Sequence, residues 1–137
     1  MPLENDVNAG IGKILVIDDD PALVKLVDEM LEIMGYNTVS SISGEEGLHI
    51  FKESPEEFAL VITDMTMPKI TGDIVARKIN TIRSNIPIIL CTGFNENISE
   101  AQAKEIGICE IIMKPVNMKT LSGVIQRLIG KNQPNII

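Results

Sequence analysis

The sequence predicts an α/β fold: a five-stranded parallel sheet with helices on both faces. Apolar runs of four to seven residues recur along the 137-residue chain, the length of buried strands. Stretches with apolar residues at helical spacing alternate with them. The connections are short and carry no hairpin signal, so each strand must return through a right-handed helical crossover, which makes the strands parallel. For five such units the flavodoxin-like (βα)5 order 2-1-3-4-5 is the natural candidate. It sets strands 1 and 3 side by side at the switch point, where ligands bind above their C-terminal ends.

"KILVI" (13–17) is the first strand, a continuous apolar run covered on both faces. From Pro21 to Met34, the residues Leu23, Val27, Met30, Leu31 and Met34 recur at helical spacing, and Gly35 is the stop signal. "YNTVSS" (36–41) alternates as a strand does, and "GEEGLHIFKES" (44–54) reads as a helix ended by Pro55. "FALVIT" (58–63) is the third strand. A helix over 72–83 follows, with Ile74, Val75, Ile79 and Ile82 as its stripe. "IPIILCT" (86–92) is the fourth strand, and 98–106 a helix with Ala101 and Ile106 inward. "EIIM" (110–113) is the fifth, before a last helix over 117–129 with Leu121, Val124, Ile125 and Leu128 on one side. One domain is expected over 13–130, with residues 1–12 a flexible lead-in and 131–137 a tail or linker.

An apolar content of 45% fits a folded chain with a core. No apolar run approaches the roughly 18 residues of a membrane span, so no membrane contact is expected. The N-terminus lacks the basic-then-apolar layout of a signal peptide, which points to the cytoplasm. Net charge −7 opposes direct contact with nucleic acid, and 3% aromatics leave no stacking platform for bases. Cations, phosphoryl groups carried with a metal, and other proteins remain as partners. Cys91 and Cys109 fit no metal or redox spacing and are expected to be reduced, mostly buried small hydrophobes. His49 and the acids Glu45, Glu46, Glu56 and Glu57 read as solvated surface. Met65, Met67 and Met113 read as packing around the rim.

The stretch "LVITDMTMPK" (60–69) places a lone carboxylate, Asp64, where an apolar strand runs out. "VIDDDP" places Asp18, Asp19 and Asp20 at the end of strand 1, above the same sheet edge. Asp20 before Pro21 is an ordinary helix N-cap, but that leaves two acids on strand 1 and one on strand 3 unexplained. Two carboxylates about 5 Å apart repel by roughly 3 kcal/mol at an effective dielectric of about 20. Such a set raises its own pKa values or recruits a cation, and an oxygen-rich, partly open site suits Mg²⁺. Strand 4 ends in "CTG", bringing the Thr92 hydroxyl to this rim, and strand 5 ends in "MKP", bringing Lys114.

This ordered set resembles the receiver domain of bacterial two-component response regulators, over residues 13 to about 129. The matching motifs are "ILVIDDD", "LVITDMTMP" with Gly72 shortly after, "PIILCTG" and "MKP". The resemblance implies that Asp64 is a phosphoacceptor. It also implies that Asp18, Asp19, Asp64 and the backbone carbonyl of Thr66 hold Mg²⁺, and that Thr92 and Lys114 contact the phosphoryl oxygens. A sensor histidine kinase or phosphotransfer domain would be the donor. The output partner would read helix 4, strand 5 and helix 5, roughly Ile98 to Leu128. Such a protein catalyses its own phosphorylation and dephosphorylation but has no turnover substrate. The Lys114–Pro115 bond is expected to be cis.

The chain departs from the pattern at Ile111, where receivers carry Tyr or Phe, and at Gly93, where Ala is common. Phe94 and Thr66 stand where side chains flank the phosphoryl group, and Phe94 would screen it from water. Two alternatives stay open on sequence alone. One is a phosphatase of the haloacid-dehalogenase type with Asp18 as nucleophile and Asp20 as acid, although Pro21-Ala22 replaces its usual Gly or Gly-Thr. The other is a pseudo-receiver that binds partners and is never phosphorylated. The chain could stand alone or form part of a hybrid kinase.

Overall fold

Asp20 opens the first helix as its sequence position predicts, its carboxylate accepting the Ala22 N–H at 3.0 Å with Pro21 next in line. The computed structural model describes residues 12–93 and 98–130. Its elements run β1 (Lys13–Ile17), α1 (Pro21–Ile33), β2 (Asn37–Ser41), α2 (Gly44–Glu53), a 3-10 turn (Pro55–Glu57) and β3 (Phe58–Asp64). They continue with α3 (Gly72–Ile82), β4 (Ile88–Thr92), α4 (Glu100–Glu105), β5 (Glu110–Met113) and α5 (Met118–Ile129). The sheet is parallel throughout in the order β2-β1-β3-β4-β5, the flavodoxin-like arrangement.

Local chemistry sets the helix ends. Ser43 caps α2 by accepting the Glu46 N–H, and Asn117 caps α5 by accepting the Thr120 N–H. Ser99 and Gln102 form a reciprocal capping box that starts α4 at Glu100. Gly35 and Gly107 take positive φ, 95° each, just past α1 and α4, where a side chain would be strained. Alternate strand residues feed two cores. Leu15, Ile17, Val61 and Leu90 pack against α2, α3 and α4, while Ile14, Val16, Leu60 and Ile62 pack against α1 and α5.

Four inward expectations are corrected. Ala103, not Ala101, faces the core from α4, because the cap at Ser99 sets the helix phase. On α3 the buried stripe is Val75, Ala76 and Ile79, and Ile74 is 37% exposed. Cys109 is exposed and Met113 is 56% exposed. Both belong to the approach and end of β5, which as an edge strand is covered less completely than the strands inside. Cys91 is buried, and burial pushes its thiol up to about 12, which keeps it protonated. Among the described residues no helix is long and apolar enough to cross a membrane.

Asp28 faces β2 from α1, where the hydroxyls of Ser40 and Thr38 donate to it. Its Oδ1 is buried and has no hydrogen-bond partner among the described residues. Burial raises its pKa above 3.8, only partly offset by those hydroxyls. A carboxyl raised in the folded state favours folding in its protonated form, an advantage lost as pH rises through the folded pKa. Asp28→Asn is therefore expected to be more stable than the parent in urea at neutral pH. The difference should narrow as pH falls toward about 4. Urea midpoints across that range check it, and a constant difference would contradict the assignment.

Candidate functional site

Parallel pairing brings the C-terminal ends of the strands to one edge, and the register levels them. Ile17 pairs with Thr63, Asp64 with Cys91 and Thr92 with Met113, so Asp18, Asp64, Thr92 and Lys114 arrive together. Loop hydrogen bonds fix the height of each. The Asp18 N–H donates to the Ser41 carbonyl at 3.2 Å, Met65 N–H to Cys91 at 2.9 Å, and Lys114 N–H to Thr92 at 2.8 Å. Gly72 closes the β3–α3 connection, its N–H donating to the Met65 carbonyl at 2.7 Å. A Cβ on Gly72 would lie 2.1 Å from the Asp64 carbonyl oxygen, so this approach is open to glycine alone.

Within that frame the Lys114 Nζ sits 2.6 Å from Asp64 Oδ1 and 3.4 Å from Asp18 Oδ2. Asp64 is 4% exposed and Asp18 8%. Asp18 Oδ1 also accepts the Asp20 N–H at 3.0 Å. Burial drives the Asp18 pKa up; the Asp20 N–H and the Lys114 charge oppose that rise, and Asp19 adds to it. Burial alone would lower the Lys114 pKa. Its bond to Asp64 and the charges of Asp18 and Asp64 prevail, so it is raised and the ammonium stays protonated. Thr92 is buried at the same rim, and its hydroxyl donates to the Met113 thioether at 3.4 Å.

Asp18, Asp19 and Asp64 each offer an oxygen within 4.8 Å of the others. Three carboxylates facing one ammonium leave uncompensated negative charge, and hard oxygen donors of this kind fit Mg²⁺. Thr66 lies exposed in the loop two residues beyond Asp64. Asp20 stays outside the cluster as a helix cap. The expectation for Phe94 lies outside the described residues. The Lys114–Pro115 bond is cis, as expected.

Sequence reasoning missed the apolar wall of the site. Leu23, Leu26 and Val27 of α1 line a cavity of about 350 Å³ with Pro115 and Val116, and Asp18, Asp64 and Lys114 border it. Leu23 and Val27 had a plain role in the α1 core stripe, and nothing in their spacing separates a core residue from one lining a cleft. The Met113–Thr92 contact was missed as well. Its available signal was the strand register, which pairs those two residues.

The family profile described as the response regulator receiver domain matches residues 14–126. The chain belongs to that family. It is 35% identical over 119 residues to the "Probable transcriptional regulator ycf27" of Porphyridium aerugineum, covering 87% of this chain and 48% of that protein. The chain thus spans about half the length of the curated relatives it matches. A receiver domain protein of Clostridium thermocellum superposes with a TM-score of 0.83 at 35% identity, covering 89% of this chain and 97% of the other. A CheY-like receiver of Methanospirillum hungatei gives 0.79 at 28%, covering 88% and 95%. This is a receiver domain of two-component signalling, and its acidic pocket stands where receivers bind Mg²⁺.

In this receiver Lys114 is the counter-charge for two buried acids. Lys114→Met should raise the Asp18 pKa further, a shift that carboxyl ¹³C titration by NMR would read. Stability at neutral pH should fall by about 2 kcal/mol, less than the roughly 3–5 kcal/mol of a fully buried pair because the Lys114 side chain is 26% exposed. Part of that loss returns on acidification, as the acids protonate. An unchanged Asp18 titration would refute the pairing.

Proposed function

We propose that this receiver accepts a phosphoryl group on Asp64 from the phosphohistidine of a sensor histidine kinase or phosphotransfer domain, in a Mg²⁺-dependent reaction. The phosphorylated form then presents an altered α4–β5–α5 face, roughly residues 98–128, to an output protein or domain. The observation that carries this reading is Asp64 itself: a carboxylate 4% exposed, at a strand end, with a protonated amine 2.6 Å away and two more acids beside it.

The chemistry follows from the groups present. A carboxylate oxygen of Asp64 attacks phosphorus as the P–N bond to the donor imidazole breaks, and the ring leaves with its electron pair. Lys114 holds the carboxylate beforehand and turns to the phosphoryl oxygens afterwards, remaining protonated throughout. The Thr92 hydroxyl donates to a second phosphoryl oxygen. Mg²⁺, when bound, adds positive charge at the same oxygens, with Asp18, Asp19, Asp64 and the Thr66 carbonyl as its holders. Burial of Asp64 and Thr92 limits the access of water to the mixed anhydride that results.

The receiver unit is read as residues 13–130, with 1–12 as lead-in and 131–137 as tail or linker, acting in the cytoplasm either alone or within a longer protein such as a hybrid kinase. It is a switch and has no turnover substrate. A phosphatase mechanism with Asp20 as acid has no support, since that side chain is exposed and caps α1. The connected charge set of Asp18, Asp64 and Lys114 favours a phosphorylated receiver over a pseudo-receiver.

Mass spectrometry after treatment with acetyl phosphate and Mg²⁺ tests this. One phosphoryl group is expected on Asp64 and none on the Asp64→Asn chain. Thr92→Ala and Lys114→Met should each slow labelling by about 10²-fold, the usual effect of removing one donor to a developing oxyanion. Label on Asp18, or an unmodified Asp64 with Mg²⁺ present, would end the proposal.

A further inference from the structure

We propose that Met113 is a positioning residue for Thr92. Its thioether holds the Thr92 hydroxyl while Asp64 is unphosphorylated and releases it when a phosphoryl group arrives. This rests on the reading of Asp64 as phosphoacceptor. Thr92 and Met113 are register partners on β4 and β5, so their side chains leave the sheet on the same face. Thr92 is 2% exposed, and its Oγ1 donates to Met113 Sδ at 3.4 Å. Ile111, two residues earlier on that face of β5, offers only carbon atoms. Met113 brings an acceptor within reach of the hydroxyl and is itself 56% exposed at the sheet edge. One side chain therefore joins a buried group of the site to the protein's surface.

The exchange has a defined direction. Thr92 has one O–H proton to donate, and a thioether sulfur is a weak acceptor. A phosphoryl oxygen carrying charge is a far stronger one. Once Asp64 is modified the hydroxyl turns to the phosphoryl group, and the thioether loses its donor. Methionine is unbranched with three rotatable bonds, so the freed side chain repacks over the edge of β5. The exposed apolar surface there then reports the state of Asp64, without an aromatic side chain at position 111.

Methyl-¹³C methionine labelling of the 137-residue chain reads the contact directly, with Met113→Leu assigning the resonance. Acetyl phosphate with Mg²⁺ should shift the Met113 methyl signal in step with labelling of Asp64. Thr92→Val should place that signal at the released position with nothing added. Met113→Leu keeps the bulk and removes the acceptor. It should speed Asp64 labelling by about twofold to threefold, since a thioether accepts a hydrogen bond only weakly. Met113→Gln, which returns a stronger acceptor of similar reach, should bring the rate back to the parent's or below. A labelled Asp64 with an unmoved Met113 signal, a Thr92→Val signal at the parent position, or a Met113→Leu rate equal to the parent's would each overturn the proposal while leaving the phosphoacceptor reading intact. An Asp64 that takes no label defeats both.

Discussion

The structure turns on two carboxylates that the sheet will not let separate. Asp18 and Asp64 stand at the ends of β1 and β3, whose pairing from Ile14 to Ile17 is locked by residues with almost no exposure. Moving either acid outward would shift a strand and expose the apolar residues that hold its register. Each such side chain is worth about 1.5–3 kcal/mol when fully buried, whereas the acids repel by a comparable few kcal/mol. The core therefore wins, and the charge must be met by chemistry at the site. Lys114 meets part of it at 2.6 Å and 3.4 Å, and the remaining negative charge makes the pocket attractive to a hard divalent cation.

The connections above the sheet serve that same constraint. Gly72 brings the start of α3 against the Asp64 carbonyl so closely that no side chain fits, which draws the β3–α3 loop down around the acid. Lys69 in this loop takes φ of 72°, a left-handed conformation that costs a non-glycine residue about 1–2 kcal/mol. Its tolerance is consistent with a loop whose path is fixed at both ends, by Asp64 on one side and Gly72 on the other. On the far side the Lys114 N–H bonds to the Thr92 carbonyl, so the amine and the hydroxyl are set by one strand pairing.

Much of this was legible in the sequence because it rests on period and punctuation. Continuous apolar runs gave four of the strands, and an acid, hydroxyl or amine at the end of each of those four marked candidates that lie together, since parallel strands necessarily end on one edge. The losses fall where coverage is uneven. "EIIM" reads as a short strand with Met113 packed at the rim, but β5 lies at the sheet edge, and Met113 emerges to solvent while Ile112 stays buried. In the six-residue α4 two apolar positions cannot fix the phase, so Ala103 displaced Ala101. The Gly72 approach and the Asp28 oxygen facing β2 depend on distances between elements, which spacing along one chain does not encode.

Lys114 also explains how a change at one carboxylate can travel. Its ammonium answers to Asp18 and Asp64, its backbone N–H to Thr92, and Asn117, three residues on, caps α5. Under the proposed chemistry a phosphoryl group on Asp64 draws the ammonium and the Thr92 hydroxyl toward itself, so the ends of β4 and β5 feel one pull. The start of α5 is tied to that strand end within a few residues, while β1 and β3 are held in the middle of the sheet by buried side chains on both faces. On that proposal displacement would pass to the lightly covered edge, where β5 carries an exposed methionine and α4 is only six residues long. The weak side of the sheet is the side that can move, and that asymmetry makes a local charge change readable from outside.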